Sequence, residues 1–198
     1  MKTRTETMNY ADILEPTVPV QTWVYHLLLV VGGSLFLALS AQIAIPLPFT
    51  PVPVSAQSLA VLMIGVLLGA RKGAASVLLY LTEGAMGLPF FAKGAAGLAI
   101  LRGTTAGYLI GFVFAAFVVG WLAERGWDRD IKSSLAAMMV GNAVIFAFGL
   151  TWLGTLVGFE KALTFGFFPF LPGMLIKLFL ASAMLPLGWK LVKANRQS

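Results

Sequence analysis

Lys177 stands inside an otherwise apolar run, LPGMLIKLFLASAMLP, about eight residues beyond Pro169. A charge at that depth in lipid costs a few kcal/mol and usually faces a cavity or a partner. A lysine in the outer third of a span can also snorkel to the interface. Arg102 sits in AILRGTTAGYLIGF, and Lys93 precedes it in PFFAKGAAG. No acidic residue lies in that stretch, and the nearest is Glu83. Apart from the Glu160–Lys161 pair, three cations therefore face one anion. Such an excess suits an anionic ligand such as a carboxylate, with arginine as a bidentate fork and lysine as a point charge. Contact with lipid headgroups is the alternative. Trp152, in GLTWLGT, offers either an aromatic wall for that ligand or a belt residue facing lipid.

The same inventory excludes several chemistries. Cysteine is absent and His26 is the only histidine, so a thiolate or multi-histidine metal site is not available. No G-x-x-x-x-G-K-[ST] or G-x-S-x-G stretch occurs, and no paired catalytic carboxylates appear. The glycines of KGAAG and RGTTAG permit close backbone approach without forming a nucleotide signature. These residues read as a binding site, not as an enzyme, and they require no cofactor.

The elements that position them follow from composition. Of the 198 residues, 59% are apolar and 11% charged, whereas soluble domains carry about 25% charged residues. A bilayer is the solvent that fits. Six apolar runs of about 20 residues would use most of the chain. They are expected at residues 26–45, 55–70, 74–88, 104–123, 133–157 and 169–192. The breaks are PLPFTPVPV, the charged Arg71-Lys72-Gly73, the loop ending at Gly103, ERGWDRDIK, and a turn over 158–168. The expected organisation is an all-α membrane protein: a polar cytoplasmic tail over 1–25, a six-helix transmembrane domain over 26–193, and a tail over 194–198. The first segment has no apolar core beside a small-residue cleavage site, so it reads as a tail rather than a signal peptide.

Orientation follows from lysine and arginine placement. With the N-terminus in the cytoplasm, the inner segments hold Lys2, Arg4, Arg71, Lys72, Arg125, Arg129, Lys132, Lys190, Lys193 and Arg196, while the outer loops hold only Lys93, Arg102 and Lys161. Both termini are then cytoplasmic, and the net charge of +6 reflects membrane topology rather than nucleic-acid binding. Pro46, Pro48, Pro51, Pro53, Pro89, Pro169 and Pro172 fall at the outer side, and each outer loop carries one Pro-Phe pair. Stiff aromatic loops on one side make walls for a pocket. In the first span, Ser34 with Ala38 and Ser40 with Ala44 are small residues four apart, which lets helices approach closely.

Four stretches together resemble the BioY family, the biotin-binding S components of energy-coupling-factor (ECF) vitamin transporters. They are AQIAIPLPFTPVPVSAQSLAVLMIGVLLGARKG, LLYLTEGAMGLPFFAKGAAG, TTAGYLIGFVFAAFVVGWLAE and FFPFLPGMLIKLFLASAMLP. The resemblance covers about residues 34–190. It implies a six-helix S-component fold in the cell membrane of a prokaryote, with biotin bound by the loops after the first, third and fifth spans. It also implies partners: a membrane coupling T protein and a pair of cytoplasmic ATPases, with Ser34, Ala38, Ser40 and Ala44 as the docking face. Lys177 matches the lysine of the family's last-helix motif, and Arg102 a basic position before G-Y-L-x-G-F. Tyr108 matches the tyrosine of that stretch, and Thr50 and Gln57 fall in the first-loop motif.

One departure stands out. Many members carry an aspartate three residues before the lysine, where this chain has Met174. Positions three apart share a helix face. An aspartate there can pair with the lysine and accept from a ureido N–H, and methionine can do neither. Glu83 or a loop carbonyl would then serve as acceptor, leaving Lys177 freer for a carboxylate, or the ligand has changed. The expected function is capture of biotin at the outer face for import. The rival readings are an S component for another small carboxylate or vitamin, and a structural or assembly membrane protein without a ligand.

Overall fold

The computed structural model describes residues 10–13 and 19–195; the Lys2, Arg4 and Arg196 contributions to the charge asymmetry lie outside the described residues. The described chain is mostly helical. Five of its helical stretches are long and apolar enough to cross a membrane. The helices are α1 (Tyr10–Ile13), α2 (Pro19–Gln42), α3 (Gln57–Ala85), α4 (Ala106–Ala123), α5 (Ile131–Val157), α6 (Phe159–Gly166) and α7 (Leu171–Asn195). Two short strands, β1 (Ala44–Ile45) and β2 (Val54–Ser55), pair antiparallel with Ala44 opposite Ser55. They close the proline-rich loop into a hairpin. Prolines inside that loop cannot donate to a ladder, so the pairing stays at its base.

The helices expose their large apolar side chains. Leu28, Leu35 and Leu39 on α2 and Ile176, Phe179 and Leu187 on α7 all point outward. In water this would be an aggregation surface, and in lipid it is the ordinary solvent-facing side. The buried positions are small or close-packed. A Cβ on Gly120 of α4 would lie 2.5 Å from the Ala70 nitrogen, and one on Gly65 would lie 2.5 Å from the Ala116 carbonyl oxygen. Small residues at these contacts let α3 and α4 meet backbone to backbone.

Continuous hydrogen bonding through α3 hides a reversal. Gly69 sits at φ 82°, ψ 177°, which only glycine adopts without strain. Gln57 Nε2 donates to Tyr80 Oη at 2.6 Å. Twenty-three residues of straight helix would hold these side chains about 34 Å apart. The two halves of α3 therefore lie side by side, and both outer ends return to the end of α2. There Ala56 N donates to Ile43 O, and Gln42 reaches the carbonyls of Pro89 to Phe91. The orphan N–H that the break leaves at Ala70 is capped by Glu124 Oε1 at 2.8 Å. The break was expected at Arg71–Gly73, but it falls at Gly69 because the turn needs a positive φ, and the two cations enter the next half-helix.

Three other expectations are corrected. The first helix begins at Pro19, not near His26, and part of the expected polar tail is ordered. Tyr10 in α1 donates to the Leu185 carbonyl at 2.6 Å and packs on Trp189, ring centroids 4.5 Å apart. The expected turn over 158–168 contains α6, an amphipathic helix that buries Ala162 and Gly166. In α2, Ser34, Ala38 and Ser40 are buried against the chain itself, with Ser34 donating to Glu83, and Ala44 enters β1. That face packs on α3 within the chain, and this internal packing accounts for the small residues.

Candidate functional site

A cavity of about 310 Å³ lies at the end of the bundle where β1–β2, the 88–103 loop and the start of α7 converge. This is near the low end of small-molecule pockets, about 300–1,000 Å³. Its floor is aromatic and aliphatic: Phe91, Tyr108, Leu109, Phe112, Ile145, Phe146 and Phe170. The polar groups are few: Ser55, Gln57, Ser58, Thr104, Thr105, Asn142 and Lys177. Among the described residues that line it, Lys177 is the one cation, and no carboxylate lines it.

Each wall element is fixed from behind. Tyr108, at the start of α4, stacks on Phe170 at 6.4 Å and meets Phe146 edge-on. Its hydroxyl donates to the Gly166 carbonyl at 2.9 Å, so the ring forms wall while the oxygen anchors α6. Gly149 and Gly166 leave room for that ring and hydroxyl; a Cβ at either would collide with Tyr108. Phe91 is held edge-on to Tyr80 at 5.6 Å and sits over Gly84, where a Cβ would strike its ring. Aromatic pairs in these geometries add about 0.5–1.5 kcal/mol beyond burial. The aromatic floor is therefore present before any ligand arrives.

The polar groups divide into those already used and those with capacity left. Gln57 is buried, donates to Tyr80 and accepts from Ser55 Oγ at 3.1 Å. Lys177 Nζ donates to the Ser55 carbonyl at 2.6 Å, which tethers α7 to β2. An ammonium has three donors, so two remain for a ligand. Asn142, buried in the middle of α5, donates through Nδ2 to Met138 O at 2.9 Å, one turn back. Its carboxamide oxygen is an acceptor on the cavity wall. Met174 lines the wall one turn before Lys177.

The eight expected binding residues are thus not gathered in one place. Gln57, Tyr108 and Lys177 line the cavity. Thr50 accepts from Val52 N and donates to the Phe165 carbonyl at 2.6 Å, pinning the proline loop to α6. Trp152 donates to the Gly103 carbonyl at 2.9 Å, fixing the far end of the 88–103 loop. Both brace the wall from outside it. Arg102 and Lys93 are exposed on the 88–103 loop, beside wall residues but not among them. Lys93 has φ 61°, which points to a tight turn there. Glu83 lies at the α2–α3 contact with Ser34, away from the cavity, so it is not placed to replace a missing aspartate.

Sequence reasoning passed over Asn142, Thr104 and Thr105. The signal for Asn142 was present: it is a lone amide in the apolar run MMVGNAVIFAF. An uncharged residue raises less alarm in a span than a lysine does. The threonines lie one glycine beyond Arg102, at the expected start of the fourth span.

The BioY family model matches residues 8–194. The biotin transporter BioY of Rhizobium etli is 44% identical over 161 residues, covering 77% of this chain and 86% of the relative. That of Thermotoga maritima is 39% identical over 153 residues, covering 77% and 89%. Among solved structures, an S-component for biotin from an ECF-type ABC transporter superposes with a TM-score of 0.75 at 25% identity, covering 88% of this chain and 95% of that one. The chain belongs to the BioY family.

Proposed function

We propose that this chain captures biotin at the outer face of a prokaryotic cell membrane and delivers it inward with ECF partners, a membrane coupling T protein and a cytoplasmic ATPase pair. The observation that carries the reading is the cavity's division of labour. An aromatic floor matches biotin's fused ring body. Lys177, with two ammonium donors unspent, suits the carboxylate, in a charge-assisted bond. The Asn142 oxygen suits a ureido N–H, and the Thr104 and Thr105 hydroxyls suit the ureido oxygen. Arg102 and Lys93 line the approach, and Thr50 and Trp152 hold the loops that frame it. On this reading the protein binds and carries its ligand, as the names of its transporter relatives say of them.

The proposed topology has six crossings, with α3 contributing two and both termini cytoplasmic. The Gly69 reversal and the Gln57–Tyr80 bond support the count. The placement of Arg71, Lys72, Arg125, Arg129 and Lys132 at the end opposite the cavity supports the orientation. The proposed transmembrane domain spans 26–193, with the first two turns of α2 preceding it in the N-terminal tail.

Met174 favours one alternative, an S component for a different small carboxylate, since the wall offers a thioether where relatives of this family often have an aspartate. Binding of labelled biotin to the purified chain separates the two readings. Saturable, stoichiometric binding at low concentration is expected; binding that never saturates would remove biotin as the ligand.

A further inference from the structure

A second hollow lies at the other end of α4, bounded by His26 of α2, Leu68 and Arg71–Lys72 at the α3 reversal, and Phe117, Trp121 and Glu124 of α4. We infer that it seats the headgroup of an anionic phospholipid. Its lining holds two cations and one carboxylate. Arg71 and Lys72 form one side, and Arg125 stands outside the lining, its guanidinium 3.4 Å above the ring of the wall residue Trp121. Glu124 is the one acid among the lining residues, and one of its oxygens already accepts from Ala70 N. A phosphate entering here would meet the Arg71 and Lys72 head groups against the single carboxylate of Glu124, two positive charges to one negative.

What distinguishes a lipid from a free anion is the surface leading away from the hollow. Trp121, Phe117, Phe114 and Ile110 are all exposed and follow one another at three- and four-residue spacing along one side of α4. Phe114 stacks on Phe148 at 4.6 Å, which flattens that part of the stripe. The stripe runs about 16 Å from Trp121 to Ile110. Half of a hydrocarbon core about 30 Å thick is the depth of one leaflet. A headgroup at Arg71 and Lys72 therefore leaves an acyl chain lying along a matching apolar track. Trp121 at the headgroup level is the usual depth for an interfacial tryptophan. The inference is independent of the ligand assigned to the cavity beside Lys177.

Native mass spectrometry of the full chain, dosed with equal phosphatidylglycerol and phosphatidylcholine, tests it. Retention of phosphatidylglycerol should exceed that of phosphatidylcholine by roughly tenfold, from at least one net cation–phosphate advantage near the surface. The double variant Arg71→Gln, Lys72→Gln should erase the preference, and Arg125→Gln should reduce it, with unfolding temperature as the control for folding. Millimolar inorganic phosphate should not displace the lipid. Equal retention of both lipids would overturn the inference, as would a preference that survives the double variant. Displacement by phosphate would assign the hollow to a free anion instead. If the double variant keeps its lipid and loses association with the coupling protein, the hollow is a protein contact and the lipid reading falls.

Discussion

The two ends of the helix bundle each draw a charged side chain out of open solvent, Lys177 half-buried and Asp128 fully, and they use it in opposite ways. At the cavity end, Lys177 meets one carbonyl and open volume. At the other end, Asp128 is enclosed. Trp189 Nε1 donates to Asp128 Oδ2 at 2.5 Å, Arg129 stacks over the Trp189 ring at 4.7 Å, and Tyr10 covers the ring's other neighbourhood. Each reaches a different element through one hydrogen bond of its charged group, Lys177 to Ser55 and Asp128 to Trp189. The difference lies in what faces the rest of the group: a void at one end, packed aromatics at the other. A half-buried charge beside a void is placed to meet a ligand, whereas a buried charge among rings ties together α1, the α4–α5 connector and α7. Location in the packing, rather than residue type, separates binding from structure.

Lys177→Met is the sharpest way to break this contrast. It keeps the length and apolar bulk of the side chain and removes the charge. Affinity for biotin should fall by about 1.5–3 kcal/mol, or roughly ten- to a hundredfold. The unfolding temperature in detergent should hold or rise, because an ammonium no longer has to be kept in an apolar wall. Equilibrium binding and a thermal melt on the same preparation check both halves. Loss of folding with unchanged affinity would make Lys177 a structural tether and abolish the distinction.

Asp128→Ala should do the reverse. It leaves the buried Trp189 indole without its acceptor, at about 1–3 kcal/mol of stability, and biotin affinity per folded molecule should not move. The carboxyl also carries a pH signature. Burial pushes its pKa above the ordinary carboxylate range, although the Trp189 bond and Arg129 pull the other way. The folded state thus holds a proton that the unfolded state has released, so this group's contribution to stability is present at low pH and is lost as pH rises through the raised pKa. Asp128→Asn keeps an acceptor for Trp189 and removes that slope. Its stability should exceed the parent's at neutral pH and converge with it under acid, which melts across a pH series would resolve.

A smaller effect is expected at Asn142. Its one bond to Met138 O is local, so Asn142→Ala should leave folding nearly intact while weakening biotin about two- to tenfold, the worth of one neutral hydrogen bond. This residue also marks where the sequence stopped being readable. Lys177 announced itself because a charge in a span is expensive, and the outer position of the site followed from prolines and missing cations. The family motifs added Tyr108 and Gln57, both on the wall. Asn142 stayed silent because an amide can satisfy itself on the preceding turn of its own helix, so only the packing reveals that it stands on a cavity wall. Thr50 and Trp152 are the converse: polar groups near the right loops whose partners turn out to be backbone carbonyls. The α3 reversal was legible as a break but not to the residue, since two adjacent cations suggest a turn more loudly than one glycine does. Ser34 and its neighbours could not be assigned at all from spacing, because a stripe of small residues fits an internal neighbour as well as an external one.

The weakest expected effect belongs to Arg102, and it bears most directly on how the pocket closes. Arg102 is exposed on the loop beside Gly103 and Thr104, just outside the wall. A cation in that position attracts an approaching carboxylate through solvent, where screening is strong. Arg102→Ala should therefore slow association by no more than about threefold at low salt, with the difference vanishing at high salt and dissociation unchanged. Association and dissociation rates measured across a salt series would separate these terms. A loss as large as that of Lys177→Met, persisting at high salt and residing in the off-rate, would mean that Arg102 turns inward once the ligand is seated. The wall would then be completed by the ligand's arrival, and the cavity end would contain two ligand-facing cations rather than one.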